Sequence, residues 1–350
     1  MASIKLLLLT ILFSSCAKIG YLAEQGTGQM ALLTRAKSNE DVLRDVTISK
    51  KDKEKIKKIR VYKNYFYDFW NKRETSIYSK TTILHDEAVT YLVIVSPFDK
   101  IEAKKECFPV MGCFPYLGFF KKSSAKDYAQ DMKKKGYVTY TRPVYAYSTL
   151  GYFTDTILSS FFIFDDFELA ELIFHELFHT IFFIKNEVEL NENLANYFGK
   201  EMALKYFMKD ETLRSKLEKE RLLSRKLSEH TVKIAREIQS ALLEKKPIMK
   251  NEATKILAEY IEQKLIPGHK EICLNQNVPD EKCYILKRKW NQASLAALMT
   301  YENKVDQLKL LRGRISGDLK GFFHYIELEL KNYKSSGSKE PFSKWLFKNE

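Results

Sequence analysis

The segment His175-Glu176-Leu177-Phe178-His179 lies inside an apolar run from Phe167 to Phe183, and it constrains this chain more than any other stretch. A helix over that run places two histidines four residues apart on one face, so both imidazoles can reach a single metal ion. Glu176 sits beside them, offset around the helix. Shortly downstream, Asn191-Glu192-Asn193-Leu194-Ala195-Asn196 reads as the start of a second helix that packs back against the first. Glu192 is the natural third ligand there, and Asn196, one turn later, can hydrogen-bond a ligand. Two neutral imidazoles and a carboxylate suit Zn2+ and leave a position open for water, which the metal acidifies and a nearby glutamate can deprotonate. The expected metal ligands are therefore His175, His179 and Glu192, with Glu176 as general base. This is the apparatus of a metallopeptidase acting on a peptide or protein substrate.

The N-terminal residues carry a different signal. Lys5 precedes a run from Leu6 to Phe13 that is too short to span a bilayer but suits the apolar part of a bacterial export signal. It ends in Ser14-Ser15-Cys16, small residues before a cysteine, as in a lipobox. Residues 1–15 are thus expected to be a lipoprotein signal peptide, with Cys16 lipidated and residues 16–350 forming the mature metallopeptidase domain. Phe13 departs from the leucine usual three positions before such a cysteine, and ordinary cleavage to a free secreted protein is the competing reading. An exported, lipid-anchored protein of the bacterial cell envelope would meet its membrane through that anchor. No other stretch is long and apolar enough to span one. The remaining cysteines form two close pairs, Cys107 with Cys113 and Cys273 with Cys283. An oxidising compartment permits both bridges, and four free thiols remain the alternative.

The net charge of +13 raises the question of an acidic partner. The lysines are scattered along helices beside glutamates, as in 51–58 and 216–225, and no basic motif interleaved with aromatics accompanies them. Solvated helix faces account for them, and no nucleic-acid partner is expected.

Along the mature chain, residues 28–45 read as one amphipathic helix and 50–60 as a charged helical stretch continued by core aromatics from Tyr62 to Trp70. Residues 88–95 form the first clear strand. The segment 107–120, with two prolines and two glycines, argues for a fixed loop. Ser123-Ser124 is expected to cap a helix that Gly136 stops, followed by a strand from Tyr137 to Tyr145 that Pro143 marks as an edge. The stretch 146–155 that follows is the candidate for pairing with a substrate backbone. Asp165-Asp166 gives the metal helix an acidic N-terminus. From about residue 200 the chain is mainly helical, with breaks expected at Pro247 and Pro267-Gly268 and a polar tail around 335–338. The fold class is α+β, with a mixed N-terminal α/β part, the metal helix and a helical C-terminal half.

Several stretches carry a family resemblance: GQMALLTR, FPVMGCFPYLGFF, AYSTLGYFTD, HELFH, NENLA and WNQASLAALMTY, spread in order over most of the mature chain. With them the chain resembles a bacterial family of predicted aminopeptidases that pairs an H-E-L-x-H helix with a downstream N-E-x-x-A segment. The resemblance implies a zincin-like metallopeptidase of the gluzincin type, with zinc on His175, His179 and Glu192 and Glu176 as base. Two positions depart from the pattern. Gln292 stands where a second asparagine is common, and Thr180 follows His179 where glutamine is frequent, departures that bear on specificity more than on chemistry. Tyr301, Tyr147 and Tyr152 are candidates for stabilising a developing oxyanion. The rival readings are an endopeptidase with the same metal site, or a lipid-anchored envelope binding protein without catalysis.

Overall fold

The computed structural model describes residues 20–108, 112–146, 154–207, 211–302 and 305–348. The signal sequence and Cys16 lie outside these residues, as do Tyr147 and Tyr152 and most of the stretch 146–155. Tyr301 belongs to a helix, but its side chain is also outside the description.

The N-terminal part is mixed. Helix α1 (20–35) lies on a small antiparallel sheet, with Tyr21 against Phe108 and Phe119 at 5.6 and 5.4 Å between ring centres and the Gln25 amide donating to the Gly118 carbonyl. The single helix expected over 28–45 is broken. Strand β1 (Lys37–Ser38) follows, and Ser38 then caps α2 (Asn39–Arg44) by accepting from the Asp41 N–H. Ser38 caps the new helix, and Asn39, its first residue, donates to the Tyr78 carbonyl, so the chain restarts as α2 rather than continuing α1.

Helix α3 (Lys50–Trp70) is capped by Ser49 and closed by Asn71 in the left-handed conformation. Strand β2 (Lys80–Thr82) pairs with β1 and, in parallel, with β8 (Ile157–Leu158). The main sheet has the order β6-β3-β7, from β3 (Thr90–Ser96), β6 (Leu117–Phe119) and β7 (Val138–Val144). Strand β7 is an edge, as expected, and Pro143 lies opposite Tyr91. Between β3 and β6 the proline-rich segment forms a short hairpin, β4 (Glu106–Phe108) and β5 (Gly112–Phe114), bridged by the Cys107–Cys113 disulfide. Helix α4 (Lys122–Lys134) covers the sheet through Ala125, Ala129 and Met132. It begins one residue before the serines expected to cap it, and no side chain caps it.

The remainder is helical. After α5 (Asp166–Ile181) and α6 (Val188–Phe207) come the long α7 (Glu211–Glu244), α8 (Lys250–Tyr260) and α9 (Ile266–Asn275). A π turn at Ile261–Leu265 joins α8 to α9, so Pro267 does not break the helix. Pro267 sits in the first turn of α9, directly after the π turn, and the helix continues through it. The second disulfide, Cys273–Cys283, ties the end of α9 to the loop beyond it. Helices α10 (Gln292–Glu302), α11 (Val305–Arg314), α12 (Leu319–Ser336) and α13 (Phe342–Leu346) complete the chain. Residues 335–336, expected in a polar tail, are the last turn of α12, which Gly337 closes. The fold is α+β, mostly helical, with small sheets. No helix among the described residues is long and apolar enough to cross a membrane.

Two departures from the family pattern have structural partners. The Gln292 amide donates to the Phe98 carbonyl at 2.9 Å, and its neighbour Asn291 donates to the Thr139 carbonyl at 3.1 Å, docking α10 on the main sheet. Thr180 donates to the Leu177 carbonyl and meets the Tyr67 hydroxyl at 3.1 Å.

Candidate metal centre

Helix α5 begins with a reciprocal cap. Asp165 accepts from the Glu168 N–H, and the Glu168 carboxylate accepts from the Asp165 N–H. That pair satisfies two of the donors every helix start leaves orphaned. Asp166 adds negative charge to the same end and is held by Lys55 and Lys58 of α3. The Lys58 and Lys55 bonds depress its carboxyl below the usual range, although burial opposes them. Asp166 was expected to complement the helix dipole. It also joins α5 to α3.

The apolar faces of α5 are enclosed by aromatics. Tyr62 and Phe66 of α3 lie 6.0 and 6.3 Å from Phe174 between ring centres. Phe178 stacks on Phe198 of α6 at 4.6 Å, and Phe323 of α12 touches both rings. This dry packing orients α5 so that its polar stripe meets α6. Two features then set the approach of α6. The buried Asn191 side chain accepts from the Ile184 N–H at 2.9 Å and donates to the Ile184 carbonyl at 2.7 Å, closing the loop between the helices. One residue later comes Glu192. Two turns further on, Gly199 lies so close to α5 that a Cβ there would stand 2.8 Å from the His175 nitrogen and 3.0 Å from its Cα. Only glycine permits that contact.

The result is a cluster of three ligand atoms. The Nε2 atoms of His175 and His179 are 3.3 Å apart, and the Glu192 carboxylate oxygens lie 3.4 Å from one and 3.5 Å from the other. All three donors fall within 4.8 Å of one another, compatible with holding one ion. Burial alone would lower His175, but hydrogen bonding to Glu192, the charges of Glu176 and Glu192 and a bond to Asn196 raise it. His179 is pushed down to about 4 by burial and by His175. Burial raises Glu192, yet its hydrogen bond to His175 and the charges of both histidines bring it below the carboxylate range. Two imidazoles and a carboxylate therefore converge, a donor set that could hold a metal ion such as zinc.

Glu176 is buried on the adjoining face of α5. His175, His179, Glu192 and Asn196 thus come together as expected. The oxyanion candidates cannot be placed, since Tyr147 and Tyr152 and the Tyr301 side chain lie outside the described residues. Sequence reasoning missed Asn191 as a loop clamp and Gly199 as the contact point. A readable signal for Gly199 exists, because it is the only glycine of α6 and lies seven residues from Glu192, on the same face.

The class is that of a mostly helical α+β chain whose adjoining helices bring two histidines and a glutamate together in a cluster that could hold a metal ion. The family described as "Putative aminopeptidase" matches residues 20–340, and the chain belongs to that family. No curated protein and no solved structure matches it.

Proposed function

We propose that this protein is a zinc-dependent peptidase of the gluzincin type, with a zincin-like active site, releasing residues from the free N-termini of peptides. The observation that carries the reading is the convergence of His175, His179 and Glu192 within 4.8 Å, beside the buried carboxylate of Glu176. Family membership supports peptide hydrolysis as the chemistry. When bound, zinc supplies Lewis acidity for a water molecule and for the scissile carbonyl. The residues do the rest. His175 and His179 would hold the ion through Nε2 from one face of α5, and Glu192 through its carboxylate from α6. Glu176 takes the proton of the attacking water and later delivers one to the leaving amine. The aromatic packing of α5 against α3, α6 and α12 keeps these groups in register through the cycle.

The test is metal content of the mature protein, with amino-acid release from free and N-blocked peptides, in the parent and in Glu176→Gln. One zinc per chain, cleavage of free peptides only, and loss of cleavage with zinc retained in the variant are expected. Cleavage of blocked peptides would replace the aminopeptidase with an endopeptidase. Zinc without any cleavage would favour the envelope binding protein. The proposal includes a lipid anchor at Cys16, which the mass of the mature N-terminal peptide decides. An unmodified cysteine there would end it.

A further inference from the structure

Four arginines among the described residues are half-buried: Arg142, Arg221, Arg288 and Arg312. Two of them have partners within the chain. Arg221 pairs with Glu201 at 3.0 Å, and Arg312 donates to the carbonyls of Ile315 and Gly317. Arg142 and Arg288 enter no ion pair or hydrogen bond among the described residues, and the Arg288 Nε is buried without an acceptor. A buried donor left without an acceptor is costly and calls for an explanation.

Both arginines flank one residue of β7. The Arg288 guanidinium lies between two rings, its carbon 5.4 Å from the centre of Tyr140 and 4.6 Å from that of Trp290. Tyr140 and Arg142 are two positions apart in β7, so they leave the same face of the sheet about 7 Å from one another. That face is the one α10 covers: Tyr140 lies opposite Ile94 and Arg142 opposite Leu92, and both partners pack with Ala293 and Ala297. The segment carrying Arg288 is fixed at each end. The Cys273–Cys283 disulfide staples its start to α9, and Asn291 donates to the carbonyl of Thr139, the neighbour of Tyr140. Rings that hold a guanidinium by its flat faces leave its N–H edge for a ligand, and that edge matches a carboxylate. Lys287 and Lys289, on either side of Arg288, are exposed and carry no ion pair among the described residues, so they add to the positive charge there.

We propose that Arg142 and Arg288 form a binding site for the carboxylates of an acidic peptide. The site borders the outer edge of the main sheet, where Thr141, between Tyr140 and Arg142, is exposed, so an extended peptide can lie along β7. Its acidic side chains then meet two guanidiniums that no carboxylate of the chain's described residues neutralises. The rings and the disulfide set Arg288 in place before a ligand arrives, so little side-chain freedom is lost on binding. The proposal holds whether or not the His175–His179–Glu192 cluster is catalytic.

The test is fluorescence anisotropy of N-acetylated hexaglutamate, dye-labelled at its C-terminus, on the full mature chain, as purified and after treatment with EDTA. A glycine–serine hexapeptide with the same dye is the neutral comparison. The parent is expected to bind the acidic peptide and not the neutral one, equally with and without EDTA. Arg142→Gln and Arg288→Lys should each weaken it about tenfold, the lysine because it keeps the charge and loses the planar fork. Arg236→Gln, which removes an exposed charge elsewhere, should bind as the parent does. Equal weakening in all three variants would overturn the proposal in favour of diffuse attraction to a basic protein. Binding lost on EDTA treatment would overturn it by assigning the carboxylates to a metal ion. Inorganic phosphate that displaces the peptide where sodium chloride of equal ionic strength does not would replace the carboxylate with a phosphate ligand. No binding by the parent, or equal binding of the neutral peptide, would also overturn it. Should Arg288→Lys fail to fold, Arg142→Gln decides alone, since Arg142 lies outside the ring sandwich.

Discussion

Gly199→Ala is the sharpest test of how the metal centre is built. The new methyl would stand 2.8 Å from the His175 nitrogen, about 0.6 Å short of the 3.4 Å at which ordinary contact begins. The obstacle is backbone, so no flexible side chain can swing away. Helix α6 must retreat or tilt, and Glu192 moves with it. Overpacking of this size costs about 1–3 kcal/mol, while alanine in place of a mid-helix glycine returns about 1 kcal/mol. The net loss of stability is therefore small, about 1 kcal/mol. Metal binding has no such compensation, because ligand positions matter at about 0.2 Å. Zinc affinity should fall about 10- to 100-fold, the range met when support of a metal ligand is lost. Competition with a chromophoric chelator measures the affinity, and thermal unfolding of the metal-free protein measures stability. Gly313→Ala is the control, since nothing lies within 4 Å of its Cβ position. It should bind zinc as the parent does. If Gly199→Ala also binds zinc like the parent and melts at a higher temperature, the helices absorb the methyl and the close-contact argument is wrong.

Four further outcomes follow from the same geometry. Asn191→Ala removes both bonds to Ile184 and should cost about 2 kcal/mol in denaturant unfolding, with weaker zinc binding. Asn196→Ala, at an exposed position, should weaken zinc about tenfold with little change in melting temperature, because it removes the bond to His175 and little packing. His269 is buried against Trp290 and His230, and burial, then His230, push it down to about 4. The unfolded chain binds this proton below about pH 6.5 and the folded chain does not until about pH 4, so stability present at neutral pH is lost as pH falls through that window, by about 3 kcal/mol. Unfolding of parent and His269→Gln between pH 7.5 and 4 checks this, and equal slopes would refute it. Chelation should lower the melting temperature but leave helical circular dichroism intact, since the stacked Phe178 and Phe198 hold α5 to α6 without an ion. Loss of helix on chelation would refute that account.

What was legible in the sequence was what is local. The H-E-x-x-H spacing needs only the helix period, and Glu192 and Asn196 announce themselves one helix later by type and distance. The acidic start of α5 was visible for the same reason, and so was β7 as an edge, from one proline. The break of 28–45 carries no glycine or proline to mark it; the signal is Ser38, which starts α2 by accepting from the Asp41 N–H. Pro267 misled in the other direction. Read as a breaker, it instead lies in the first turn of α9 after a π turn, and the helix continues. The disulfide pairs were readable as candidates from spacing, but connectivity needed the structure.

The choice of a carboxylate ligand on a second helix has a physical consequence. Two histidines on α5 are aligned by the helix itself, whose geometry varies little. The third ligand has no such guarantee, because its position depends on how α6 packs. The chain meets that demand with contacts distributed along the pair: Asn191 at the loop, Phe178 on Phe198 in the middle, and Gly199 against His175 two turns beyond Glu192. Phe323 of α12 braces the aromatic stack from outside. On the proposed reading, residues that never approach the ion would set its coordination, so the core between α5, α6 and α12 would belong to the metal centre as much as the ligands it carries.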